Sequence, residues 1–261
     1  MGKTFQLSLE SFLEEEYPNR YNDTYAQALT IVKDAMHFRS VKIRMEKAKE
    51  ALCICDRCAE AYMLYAASLE DVFMRLEILK NGYEQIAISL GKNYFLQEIE
   101  DYYLENAYPY FKIRYAYSLC LFECGFLKEA LMHFEHILKL NPQDVYKVRE
   151  YLYVLYLYYE DINALQSLLE RFKDRDTLYV YVLFILEIKR KNFVQAKKIL
   201  PLLKEMNLYL FEMLTNQRIY VGNADKKGVL GSEEEAGYVY SLLSLLFEII
   251  TPLQSFMANH I

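Results

Sequence analysis

From Ser118 to Pro142 the chain reads SLCLFECGFLKEALMHFEHILKLNP, and this stretch narrows the possible folds more than any other. Two amphipathic helical patterns meet at Gly125, a residue suited to the left-handed backbone of a tight turn. Asn141-Pro142 stops the second pattern, because proline cannot continue a helix. Ser118, Leu121, Gly125, Ala130 and Phe134 mark one helix–turn–helix unit.

The unit has neighbours. Ala130, Ala164 and Ala196 each fall early in a second-helix pattern, separated by 34 and 32 residues. That spacing is close to the ~34-residue period of tetratricopeptide repeats, whose paired helices approach at a small residue. Upstream, Lys47–Asp56 ends a second helix with Ala51 at the packing position, and Glu60–Leu69 begins the next first helix. There Tyr62, Tyr65, Ala66 and Leu69 form the stripe expected of an inward face. Residues from about 71 to 110 form an irregular insert, with a helix over Phe73–Leu90 ended by Gly91 and a short helix over Phe95–Glu105. Residues 216–231 read as a loop with three glycines. Ser232 and Glu235 then form a capping box for a closing helix over about 232–250. The expectation is an all-α fold over 1–261: a single tetratricopeptide-like right-handed superhelix of helix–turn–helix repeats with a C-terminal capping helix.

Composition agrees. Of 261 residues 54% are hydrophobic, which argues against disorder, and only 8 Gly and 5 Pro interrupt the helical patterns. The net charge is −6 without a dense Lys/Arg block, so no nucleic-acid partner is expected. With 25 Tyr, 15 Phe and no Trp, tyrosines are expected to fill helix–helix seams. Five cysteines do not make a secreted disulfide framework. Met1–Arg20 lacks the apolar core of a signal peptide, and Gln6 stands where myristoylation needs Ser or Thr. The apolar runs Tyr151–Tyr159, Thr177–Ile188 and Ser241–Leu253 are shorter than the ~20 residues that span a bilayer. A cytoplasmic protein without membrane contact is the expectation.

A more specific resemblance emerges from segments spread along the chain. Ala51-Leu52 through Cys58, Ala61 and Tyr62 resemble an ALxxxPDCxDAY segment. Pro109-Tyr110 with Arg114 and Leu119 resembles PYxxxRxxLA. Gly125, Glu129-Ala130, Leu140-Asn141-Pro142 and Asp144 follow, then Val148-Arg149 with Tyr151-Leu152. Gly231-Ser232, Glu234-Glu235-Ala236 and Tyr238-Val239 resemble GSxEEAxxYV. Together, over roughly residues 25 to 252, they resemble the suppressor-of-tumorigenicity seven family in its short bacterial form. Asp56 stands where that family has Pro, Tyr108 where it has Arg, and the closing segment lacks its Trp. The resemblance implies a helical-repeat fold and protein interaction, with no known reaction.

Tetratricopeptide stacks bind through the face lined by their first helices. The register places Lys112, Tyr115, Leu119, Phe122 and Glu123 there from one unit. Tyr146, Arg149, Glu150, Tyr153 and Tyr156 come from the next, and Tyr181 from the one after. Such a groove holds a peptide, with Arg149 clamping a carboxylate; alternatively the tyrosines are seam packing and Arg149 pairs with Glu150 or a neighbouring helix. Cys53, Cys55, Cys58, Cys120 and Cys124 offer thiolates for a metal, but not on the knuckle loops such sites use, and no metal or cofactor is assigned. His133 and His136 read as a solvated surface pair, Glu14–Glu16 as a solvated helix face. Gly2-Lys3-Thr4 lacks the context of a phosphate loop. No nucleophile–base arrangement stands out, and no catalytic residue is assigned. The expected function is a non-enzymatic scaffold for a protein or peptide. A ligand-gated regulator, a cysteine-based metal or redox protein, and a homo-oligomer are the rivals.

Overall fold

The structure, a computed structural model, describes residues 23–91, 107–215, 218–219, 228–249 and 252–259. Among these residues the regular secondary structure is entirely helical. No described helix is long and apolar enough to cross a membrane. Close packing divides the chain into two compact units, one ending at Val148 and the other starting at Arg149.

In the first unit the helices are α1 (Asp23–Ala35), α2 (Val41–Ile54), α3 (Ala59–Ala67), α4 (Val72–Leu90), α5 (Ala107–Glu123) and α6 (Leu127–Leu140). Consecutive helices pack together, and α3 also packs on α1 and on α5. Tyr25, Ala28, Leu29 and Val32 of α1 meet Ala48 and Ala51 of α2 and Ala61 and Leu64 of α3. Four neighbours around α3 explain why the expected single stripe is too narrow: Ala61, Met63, Leu64 and Ala66 are fully buried, while Tyr62, Tyr65 and Leu69 are half-buried. Asp71 caps α4 through Phe73 and Met74 N–H, and Gly91 (φ 78°) ends it. Midway along α4, Gly82 is pressed against α3. A Cβ there would stand 2.6 Å from Tyr62 Cγ, so only glycine allows this approach. The expected helix over Phe95–Glu105 lies outside the described residues. Every residue of α5 from Ala107 to Leu121 is buried, as befits a helix covered on all sides.

In the second unit the helices are α7 (Arg149–Tyr159), α8 (Ile162–Phe172), α9 (Thr177–Lys189), α10 (Phe193–Met206), α11 (Leu208–Leu214), α12 (Glu233–Ile249) and α13 (Pro252–Asn259). Here too the first helices of successive hairpins, α7 and α9, pack on each other. α12 packs against α11 and reaches back to α7, where Tyr238 donates to Glu150 at 2.6 Å. The capping box is present in altered form. Ser232 Oγ accepts from Glu235 N–H at 3.1 Å, while Glu235 reaches one residue further back, to Gly231 N–H at 2.7 Å. Ser232 N–H bonds Val229 O instead. α11 and α13 had no sequence expectation. Phe256 of α13 meets Phe184 and Phe193.

Three hairpins share one turn. Phe126 N–H bonds Leu121 O, Asp161 N–H bonds Tyr156 O, and Asn192 N–H bonds Glu187 O, each at 2.9 Å. These bonds close over a left-handed residue: Gly125 (φ 79°), Glu160 (φ 60°) and Lys191 (φ 61°). The next helix starts at once, capped by Asp161 on Ala164 N–H and by Asn192 on Gln195 N–H in the second unit. At the close-packing position of the second helix stand Ala130, Leu165 and Ala196, all fully buried. Ala164, the expected packing residue of α8, is only half-buried, because the register slips by one there.

Candidate functional site

The expected groove residues occupy very different settings. Lys112, Leu119, Glu150, Tyr153 and Tyr181 are buried inside the helix packing, and Tyr115 and Tyr156 nearly so. Phe122, Glu123, Tyr146 and Arg149 keep partial exposure. Tyr115 stacks on Tyr146 at 4.9 Å with an interplanar angle of 15°. Arg149 clamps a carboxylate bidentately, as its chemistry invites, but the carboxylate is Asp174 of its own chain: Nε to Oδ2 2.7 Å and Nη2 to Oδ1 3.0 Å. Tyr153 donates to the same Asp174 oxygen at 3.3 Å. Burial and the Asp174 charge push the Tyr153 hydroxyl far up, and burial alone does so for Tyr181.

Lys112 is an internal ion-pair partner. Its Nζ lies 3.5 Å from Glu60 Oε1, a charge contact without hydrogen-bond alignment, and it donates to Tyr108 Oη at 3.2 Å. Glu60 Oε2 accepts from Tyr25 Oη at 2.6 Å and from the Cys58 thiol at 3.7 Å. α1, α3 and α5 are thus tied together by one polar cluster in which lysine and carboxylate are both wholly out of solvent.

A second cluster joins α4, α5 and α6, and the sequence reading did not assemble it. Arg114 of α5 is 4% exposed. It donates through Nη1 to Tyr110 Oη and lies over the rings of Tyr83 (5.4 Å) and Tyr110 (5.7 Å). Tyr83 stacks on Tyr117 at 5.7 Å, and the His133 ring meets both edge-on at 5.2 and 5.1 Å. His133 and His136 are therefore not a solvated pair. The tyrosines of α4 and α5 pack on His133, both histidines are half-buried, and burial, with the Arg114 charge next, lowers His133 to about 3 and His136 to about 4. Both imidazoles are neutral at pH 7. Desolvation likewise raises Tyr117 to about 12. Two cations two residues apart in the buried run AYPYFKIRYAYSLCL were the available signal, since each has to find an anion or an aromatic shell.

The cysteines are free: Cys55, Cys58 and Cys120 are buried, Cys124 is half-buried and Cys53 exposed. Burial pushes the Cys58, Cys120 and Cys124 thiols up, and nearby carboxylates add to it, so they stay protonated, the reverse of an activated thiolate. Among the described residues no group of His, Cys, Asp or Glu is arranged to hold a metal ion. No family model, curated protein or solved structure matches this chain.

Proposed function

We propose that this protein is a non-enzymatic scaffold of the tetratricopeptide class that holds a protein or peptide against the first helices of its repeats. The repeated hairpin carries the reading. The same turn, closed by the same backbone bond over a left-handed residue, recurs at Gly125, Glu160 and Lys191. First helices also pack on first helices within each unit, α1 on α3 on α5 and α7 on α9. This is the arrangement that winds such repeats into a right-handed superhelix and leaves one face for a ligand. Raised thiol and phenol pKa values favour binding over nucleophilic chemistry. The motif-level resemblance to the suppressor-of-tumorigenicity seven family fits the same reading, and the cytoplasm is the compartment we propose for it.

Within the first unit, Phe122, Glu123 and Tyr146 are the expected groove residues that keep exposure, and they are the contact surface of this proposal. Reversing the charge of Lys112 is no test of it, since two carboxylates would then share one dry site. The test is affinity capture from native cells with three baits: wild type, the double variant Phe122→Glu/Tyr146→Ser, and Met132→Glu on the exposed side of α6. Binding is expected to be lost in the double variant and kept in Met132→Glu. Full binding by the double variant refutes the groove.

A further inference from the structure

We propose that Arg114 anchors a binding site for a carboxylate, walled by Tyr83, Tyr110 and Tyr117 and completed by His133. The starting point is an imbalance. The guanidinium has five N–H donors and a fixed positive charge. Among the described residues it donates one hydrogen bond, to Tyr110, and pairs with no carboxylate. Its Nε is buried without a partner, and so is His133 Nδ1 on the facing helix. Glu84 and Glu129, whose charges reach Tyr117, are exposed and form no ion pair with Arg114.

The aromatic shell does not make up the difference. Rings over a guanidinium offset only part of what it costs to withdraw the ion from water, even after relaxation. Two orphaned polar atoms in one cluster, one of them cationic, both around the Tyr83 ring, describe a place where an acceptor belongs. Charge then selects its class. Both imidazoles are neutral, so the cluster carries one positive charge. A carboxylate balances it one for one, whereas a phosphate dianion leaves a net negative charge among buried tyrosines. Guanidinium and carboxylate also match edge to edge. A neutral imidazole protonated at Nδ1 supplies a further donor. Tyr83, His133 and His136 are half-buried, so the cluster meets solvent through them.

The inference stands apart from the scaffold reading, because a free acid and a peptide side chain share the chemistry. Two probes separate them: sodium formate and the blocked tripeptide acetyl-Gly-Asp-Gly-amide, each against sodium chloride at equal ionic strength. The readouts are the Arg114 Nε–H and His133 imidazole resonances of the intact wild-type protein. A carboxylate beside His133 favours its protonated form, so a bound probe raises the imidazole's titration midpoint. A shift with formate marks a site open to free acids, and a shift with the tripeptide alone marks one for a peptide carboxylate. Either supports the site. Resonances and titration unchanged by both probes overturn it. In Arg114→Met the apparent affinity is expected to fall at least tenfold, and an equal response from that variant also overturns the site. The wild-type measurement decides the matter even if the variant does not fold.

Discussion

Lys112 and Arg114 stand two residues apart on α5, both withdrawn from water, and their surroundings are opposite. Lys112 meets a carboxylate that is itself anchored by a tyrosine hydroxyl from α1. Arg114 lies over tyrosine rings, and its charge reaches two neutral histidines. The first arrangement is closed: its charges cancel, and it fixes which helices pack together. The second is open: it leaves charge and donors unspent, and a ligand is what completes it. A buried cation is therefore no sign of function until its counter-charge has been looked for.

The comparison breaks if Lys112 is left as poorly paired as Arg114. Glu60→Gln keeps the volume and an acceptor for Tyr25 but removes the charge opposite Lys112. Loss of one partner from a fully buried pair is expected to cost about 3–5 kcal/mol, measured by urea denaturation. A loss under about 1 kcal/mol, the range of exposed pairs, means that Lys112 escapes to water and that the closed cluster is misread.

The next largest effect comes from the seam beside the open cluster. Gly82 lets α4 lie against Tyr62 of α3, and the adjacent Tyr83 lies beneath Arg114. The atoms a Cβ would strike are Cβ, Cγ and Cδ2 of Tyr62, the near end of the side chain, which cannot swing away without moving α3 or α4. Gly82→Ala is expected to cost about 1–3 kcal/mol as overpacking and to shift the His133 resonance through Tyr83. Adding Tyr62→Ala should recover part of the stability. If the double variant is no better than Gly82→Ala alone, the seam is not where the strain arises.

Much of this architecture is legible in the sequence and some is not, for identifiable reasons. Gly125 announces its turn because glycine is the usual left-handed residue. Glu160 and Lys191 adopt the same conformation silently, betrayed only by the capping residues Asp161 and Asn192 that follow. The Ala130–Ala164–Ala196 period holds except at α8, where Leu165 takes the buried place. Groove residues were harder. In α5 apolar and aromatic side chains run round the whole helix, so no stripe distinguishes a ligand face from a packing face. The repeat register places Lys112 on the groove, and Glu60, its partner 52 residues away in sequence, gives no local sign of the pairing. The Arg114 cluster needs the α4 approach allowed by Gly82, a contact no single-helix pattern contains.

Acid should act on the cluster around Arg114 through its histidines. His133 and His136 have folded pKa values of about 3 and about 4, below the ordinary imidazole value of 6.5. Between these limits the unfolded chain binds more protons, so stability rises with pH. The histidines' contribution is full above pH ~6.5 and is lost as pH falls toward their folded values. Thermal unfolding followed from pH 7 to pH 4.5 should show this slope in wild type and a shallower one in His133→Gln. An unchanged slope in His133→Gln would mean that His133 is solvated after all.

The smallest effect sharpens the comparison most, because it repeats the first change in a wetter place. Arg149 and Asp174 form a better-aligned pair than Lys112 and Glu60, bidentate and as short as 2.7 Å. Yet their side chains are 15% and 21% exposed, where those of Lys112 and Glu60 are 0%. Asp174→Asn is the same carboxylate-to-amide exchange as Glu60→Gln and also keeps an acceptor for Tyr153. If geometry set the energy, Asp174→Asn would cost more. If desolvation sets it, water reaches the freed guanidinium and the cost is about 1 kcal/mol or less. Salt gives an independent reading: the Asp174→Asn effect should shrink at 1 M NaCl, where the screening length is about 3 Å. The Glu60→Gln effect should not, because ions do not enter its site. An Asp174→Asn loss equal to that of Glu60→Gln would make alignment, not dryness, the decisive property, and would remove the physical basis for reading unpaired Arg114 as a site awaiting its anion.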